Sequence, residues 1–132
     1  ENNLENKVFF ISSAIEDNEL LKFYGNAELF VLVPIEENHR FEGFGTVYLE
    51  ASASRLPIVA TFNSGAISAV KDGYTGILVA QNNPAETAGA IMKILSDNAT
   101  KERFRNNNYE RVKDFDWEKI VASYIKVYSE KF

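Results

Sequence analysis

ELFVLVPIEENHRFEGFGTVYLEASASRLPIVAT, residues 28–61, decides the fold. It begins with a continuous apolar run, Leu29 to Val33, stopped by Pro34. A run of this length without polar alternation suits a strand buried on both faces. A polar loop follows over 35–45, then a helical stretch over 46–54, then PIVAT (57–61), which reads as another buried strand. Pro57 disfavours helical geometry in the residue before it and so closes the helix. Strand, helix, strand in this order is the repeating unit of a parallel sheet, because parallel neighbours need a crossover between them.

Working outward, the pattern repeats. KVFFIS (7–12) reads as a buried strand. EDNELLKFYG (16–25) reads as a short helix, with acids near its positive end and Gly25 as its C-cap. Beyond residue 61, a short helix is expected over 66–72, a turn at DGYTG (72–76) and a strand at GILVA (76–80). Pro84 suits the first turn of a helix running to about Ser96, since its missing N–H has no partner there in any case. Two more helices are expected near 100–113 and 117–131. The class is α/β: a Rossmann-like parallel sheet with helices on both faces. Ligands of such folds gather at the carboxyl ends of the strands. That singles out the loops starting at Ser12, Pro34, Phe62 and Gln81.

The 132 residues suffice for a single domain over 1–132 with a real core. The net charge of −5 argues against nucleic acid as a partner, since phosphate-backbone binders concentrate Lys and Arg on one face. With no cysteine there is no disulfide, thiolate metal site or Cys nucleophile. No apolar run nears the ~20 residues that span a bilayer, and no signal peptide is visible. A cytoplasmic protein is the expectation. The chain opens on ENNLENK and runs almost at once into an apolar stretch, which reads as a piece of a longer protein.

The chemistry is expected in FEGFGTVYLEA (41–51). Gly43 and Gly45 allow a sharp turn and close approach of a ligand to the backbone. The helix behind them starts with N–H groups that have no intrahelical acceptor, near Thr46 and Val47, and its dipole favours an anion there. Glu42 before the turn and Glu50 a turn into the helix do not suit a phosphate. They suit hydroxyl groups, because a carboxylate accepts two such bonds side by side. A diphosphate with a hydroxylated ring at each end, a nucleotide sugar, would satisfy both features. On the residues alone an ordinary helix start with a solvated Glu50 stands beside that reading, since the third glycine of the dinucleotide fingerprint is replaced by Tyr48.

EGFGTVYLEA also resembles the E-x7-E signature of the family 4 retaining glycosyltransferases, which have the GT-B fold of two Rossmann-like domains. The resemblance covers nearly the whole chain, as that family's C-terminal domain from its third strand onward. KVFFISSAIEDNELLKFYGNAELFVLVP is similar to the segment before the motif. LPIVAT and SGAISAVKDGYTGILVAQNNPAETAGAIMKIL are similar to the segment after it, and FDWEKIVASYIKVY to the closing helix. The resemblance implies that Glu42 contacts the donor sugar and stabilises charge at the reacting carbon. It implies that Gly43, Phe44 and Gly45 meet sugar hydroxyls through their N–H groups, that Thr46 and Val47 hold the diphosphate, and that Glu50 binds the ribose. The base would lie near Ser12 and Ser13. The nucleoside diphosphate sugar is substrate, and no metal or other cofactor is expected. The acceptor, a glycan or lipid-linked glycan, would be held by an N-terminal domain outside this sequence.

The sequence departs from that pattern in places. Ser64-Gly65-Ala66-Ile67-Ser68 stands where the family has Gly-Gly-x-x-Glu, so Ser68 replaces an acid. Arg55 stands where a glycine usually ends the motif helix; a left-handed backbone there costs roughly 1 kcal/mol for a residue other than glycine. The family's diphosphate-binding Arg and Lys belong to a strand–helix unit that this sequence does not contain. His39, a loop residue beside Glu36 and Glu37, is no substitute by position and reads as solvated. With two strands of the usual 3-2-1-4-5-6 order absent, KVFFIS lacks a neighbour, and an open strand edge invites a homodimer. A non-catalytic nucleotide-sugar-binding or assembly subunit is the alternative function. In the last helices an aromatic stripe, Phe115, Trp117, Tyr124 and Tyr128 among it, reads as core or as a partner face. Lys119, Lys126 and Lys131 would suit peripheral contact with the inner face of a membrane, or simply a solvated face.

Overall fold

The computed structural model describes residues 4–37, 43–62 and 65–130. Its sheet has three parallel strands, β1 (Phe30–Val31), β2 (Ile58–Thr61) and β3 (Gly76–Val79), in that spatial order. Phe30 pairs with Ile58, and Ile58 with Gly76. Along β2 successive side chains must point to opposite faces. Accordingly Ile58 and Ala60 join one core and Val59 joins the other. The first core takes Tyr24 from α1 (Asp17–Asn26), Tyr48 and Ala51 from α2 (Thr46–Ala53), and Ala66 and Ala69 from α3 (Ala66–Ala69). The second takes Ala90 and Ile94 from α4 (Pro84–Ser96) and Phe104 from α5 (Asn98–Val112). A parallel sheet covered by helices on both faces is what the apolar runs imply, and it is what forms.

Helix ends follow local chemistry. Pro84 opens α4, and the Asn83 side chain accepts from the Glu86 N–H at 3.1 Å. Asp97 caps α5 by accepting from the N–H groups of Ala99 and Thr100. Bonds from the Thr100 hydroxyl and then its N–H hold the Asp97 carboxyl below the usual carboxylate range. Asp116 caps α6 (Trp117–Ser129), which follows a 3-10 turn at Lys113–Phe115. A buried asparagine ties these layers together. Asn108 on α5 donates to the carbonyls of Leu56 (2.8 Å) and Thr75 (2.7 Å) and accepts from the Ser52 hydroxyl (3.0 Å).

Several expectations fail. KVFFIS is not a strand: Phe9 is 80% exposed and Phe10 93%. An apolar run becomes a buried strand only where a neighbour takes its N–H and C=O groups and layers cover its faces. Among the described residues this sheet offers 7–12 neither. The run 28–34 forms only the two-residue β1, and it is half open because it lies at an edge of the sheet; its ladder extends one bond further, from the Leu32 N–H to the Val59 carbonyl (3.0 Å). Gly25 is not a C-cap: α1 continues through Asn26, and Ala27 closes it by donating its N–H to the Phe23 carbonyl. The helix expected over 66–72 is a single turn ending at Ala69.

The aromatic stripe of α6 is open. Trp117 is 79% exposed, and Tyr124, Ile125 and Tyr128 are also exposed. Lys119 pairs with Asp114 and Lys126 with Glu130, so each of these charges has an acid beside it. Lys131 lies outside the described residues. Among those described, no helix is long and apolar enough to cross a membrane.

Candidate functional site

The carboxyl ends of the strands are laced together. The Thr61 hydroxyl at the end of β2 donates to the Pro34 carbonyl beyond β1 (3.0 Å). Gln81, just past β3, accepts from the Glu36 N–H (3.0 Å) and donates to the Phe62 carbonyl (3.4 Å). One amide side chain thus joins the loops that follow all three strands.

The glycine turn sits at this edge. Gly45 is the N-cap of α2 with φ 70° and ψ 70°, a left-handed conformation that a residue with a Cβ adopts only at a cost. As a glycine, this N-cap residue has no side chain of its own to cap the helix. The Tyr48 N–H is taken by the Gly45 carbonyl (2.9 Å). The N–H groups of Thr46 and Val47, ahead of it, have no acceptor within the helix. Thr46 is exposed and Val47 half-buried. Gly43 is exposed, and a Cβ there would meet nothing within 4 Å, so it leaves open space beside the turn.

The turn is held from beneath and from the side. Tyr48 is fully buried; its hydroxyl donates to the Leu32 carbonyl (3.0 Å), and its ring meets Phe30 edge-on with centres 5.9 Å apart. Phe44, between the two glycines, packs on Phe115 at 5.8 Å, and the Arg111 guanidinium lies over Phe115 at 5.2 Å. Arg111 also donates to the Ser68 carbonyl (2.9 Å), so Ser68 meets it through its backbone, not through an acid.

Glu50 lies one turn further along α2 and is exposed. Its Oε2 accepts a bond from the hydroxyl of Tyr24 on α1 at 3.0 Å. Burial, followed by the bond to Glu50 and the charge of Glu50, pushes the Tyr24 hydroxyl up to about 12, so it is a donor at any ordinary pH. Beside this pair a groove of about 350 Å³ opens between α1 and α2, lined by Asp17, Leu20, Leu21, Tyr24 and Glu50 among others. A second cavity of about 410 Å³ lies at the strand ends on the α4 side, lined by Val33, Thr61, Asn83 and Ile91 and mainly apolar.

The structure therefore gathers Gly43, Phe44, Gly45, Thr46, Val47 and Glu50 on one turn and the helix it opens. Ser12 and Ser13 sit on the exposed segment ahead of α1 and do not line the groove beside Glu50. Glu42 and His39 lie outside the described residues, as does Ser64. Among the described residues no cluster of three His, Asp or Glu could hold a metal ion. Tyr24 and Phe115 were not legible as site residues, and Gln81 was marked only as the start of a loop at the strand ends. The one signal for Tyr24 was general: a tyrosine on a buried helix face needs a partner for its hydroxyl.

Comparison with known proteins agrees with this fold. Residues 1–111 match the family described as glycosyl transferases group 1. An uncharacterised glycosyltransferase of Methanocaldococcus jannaschii is 37% identical over 101 residues, covering 76% of this chain and 28% of that protein. The capsular polysaccharide biosynthesis glycosyltransferase CapM of Staphylococcus aureus is 33% identical over 109 residues, covering 79% and 27%. Among solved structures, sucrose-phosphate synthase of Thermosynechococcus elongatus superposes with a TM-score of 0.79 at 32% identity, over 98% of this chain and 31% of that one. The chain thus spans about a third or less of the length of these relatives.

Proposed function

The chain belongs to the glycosyl transferases of group 1, and from that premise we propose that it is the donor-binding domain of an enzyme that moves a sugar from a nucleoside diphosphate to an acceptor hydroxyl with retention of configuration. The observation that carries the reading is the pairing of two features on α2: a start at a left-handed Gly45, which brings no capping side chain of its own, and an exposed carboxylate, Glu50, one turn on. The first suits a diphosphate. The second suits the paired hydroxyls of a ribose.

In this reading the N–H groups of Thr46 and Val47 hold the diphosphate, and those of Gly43, Phe44 and Gly45 meet the sugar hydroxyls. The leaving group is a nucleoside diphosphate, so offsetting its developing charge is much of the catalytic task, and backbone donors fixed in place do that without reorganising. Glu42 takes the role of contacting the transferred sugar and stabilising positive charge at the reacting carbon. No metal takes part. The base lies toward Ser12 and Ser13. The acceptor, a glycan or lipid-linked glycan, and the cations that complete the diphosphate site are supplied from outside this chain, which alone does not turn over. Work on a lipid-linked acceptor would place the enzyme at the cytoplasmic face of a membrane.

The test is a calorimetric titration of the full-length protein with UDP, GDP and ADP and with their sugars. One nucleotide series should bind. Glu50→Ala should weaken every member of it, and Glu42→Ala should weaken only the sugar-bearing ligands while abolishing turnover. Binding of all three series with equal weakness, unchanged by Glu50→Ala, would sink the reading.

A further inference from the structure

Resting on the ribose role proposed for Glu50, we infer that Tyr24 is a positioning residue that fixes the Glu50 carboxylate and thereby sets preference for a ribose over a deoxyribose. The two residues come from different helices, 26 positions apart, and meet at 3.0 Å. Among the described residues Tyr24 is the only side chain that donates to Glu50. Glu50 is otherwise an exposed glutamate with three rotatable bonds, free to sample many directions. Tyr24 is the opposite: its ring is buried and packs on Phe30 at 6.0 Å, which in turn packs on Tyr48. The rigid partner orients the flexible one.

The choice of a phenol matters chemically. A lysine or arginine in its place would neutralise Glu50 and compete with the ligand for both oxygens. A neutral hydroxyl takes Oε2 alone and leaves the negative charge in place. Oε1, with its lone pairs, remains for the hydroxyls of a ligand. The hydroxyl does not ionise near neutral pH, because burial and the adjacent carboxylate both oppose it, so the bond always runs from Tyr24 to Glu50. The groove lined by Tyr24, Glu50 and Asp17 gives a ring the room to reach this carboxylate.

The experiment uses the full-length protein with Tyr24→Phe, Glu50→Ala and the double variant. Each is titrated with UDP, GDP and ADP and with their 2′-deoxy counterparts, after thermal melting has shown that all are folded. Tyr24→Phe keeps the ring and removes only the hydroxyl. It should weaken the ribonucleotide by about threefold to tenfold, the range expected for one hydrogen bond, and weaken the deoxynucleotide, which keeps only one of the paired hydroxyls for Glu50, by less. On the Glu50→Ala background it should have no effect on either. Equal loss for both ligands, or no loss, while Glu50→Ala removes the discrimination, would overturn the positioning role and leave the ribose reading intact. Wild-type protein and Glu50→Ala that bind the two ligands alike would instead show that the ribose reading itself is wrong, and the role of Tyr24 with it.

Discussion

Arg55 and Tyr109 are in direct contact: the guanidinium carbon lies 3.9 Å from the centre of the ring. Arg55 holds φ at 60°, the left-handed backbone that favours glycine. Two opposed effects therefore meet at one residue. The backbone costs roughly 1 kcal/mol, and a surface cation–π contact returns about 0.5–1 kcal/mol. Arg55→Gly should relieve the first and lose the second, leaving the urea midpoint near that of wild type. Arg55→Ala keeps the strain and loses the contact, and should destabilise by about 0.5–1 kcal/mol. Equal effects of the two substitutions would mean that the backbone is not strained.

Asn108 satisfies three buried groups at once, the carbonyls of Leu56 and Thr75 and the hydroxyl of Ser52. Each orphaned buried group costs about 1–3 kcal/mol. Asn108→Ala should therefore destabilise by on the order of 3 kcal/mol in denaturant melts. Asn108→Asp should do no better, since a carboxylate cannot donate to two carbonyls and its charge would be buried. A loss below about 1 kcal/mol for either would show that water reaches this site.

Gly76 and Gly73 lie three residues apart and should respond differently. A Cβ on Gly76 would overlap the Ile58 carbonyl oxygen of the neighbouring strand, so Gly76→Ala must part β2 from β3. A cost of about 3 kcal/mol or failure to fold is expected, at the upper end of overpacking effects. A Cβ on Gly73 meets open space, and only its φ of 67° opposes a side chain. Gly73→Ala should cost about 1 kcal/mol. Thermal melts of the two proteins side by side decide it.

The stability of the domain should carry a signature of Tyr24 at alkaline pH. Its hydroxyl is raised from the ordinary 10.0 to about 12 in the folded state. Between these values the unfolded chain releases the proton first, so stability falls as pH rises. The contribution is whole below pH 10 and lost as pH passes through about 12. Phenylalanine does not titrate, so the stability gap between wild type and Tyr24→Phe should narrow across this window. A constant gap would mean that the hydroxyl is not perturbed.

What could be read from the residues was what neighbours in sequence decide. β2 and β3 followed from short apolar runs, α4 from Pro84, and the turn that opens α2 from its glycines. What could not be read depended on groups brought in from elsewhere. KVFFIS has every local mark of a buried strand, but apolarity says nothing about whether a partner stands beside it. That β1 is half open follows from its place at an edge, and place in a sheet is not a property of the run itself. The Tyr24–Glu50 bond joins residues on two helices that β1 and a long stretch after it separate in sequence. Glu42, the other half of the motif, lies outside the described residues.

The Gln81 side chain bridges the loops after β1, β2 and β3. Variation in these loops is then not independent. An insertion after β1 that moves Glu36 removes the acceptor's partner, and a change after β2 that moves Phe62 strands the same amide from its other side. Changes in length or course of one of these loops should therefore be accompanied by changes in another, with position 81 altered where the loops part company.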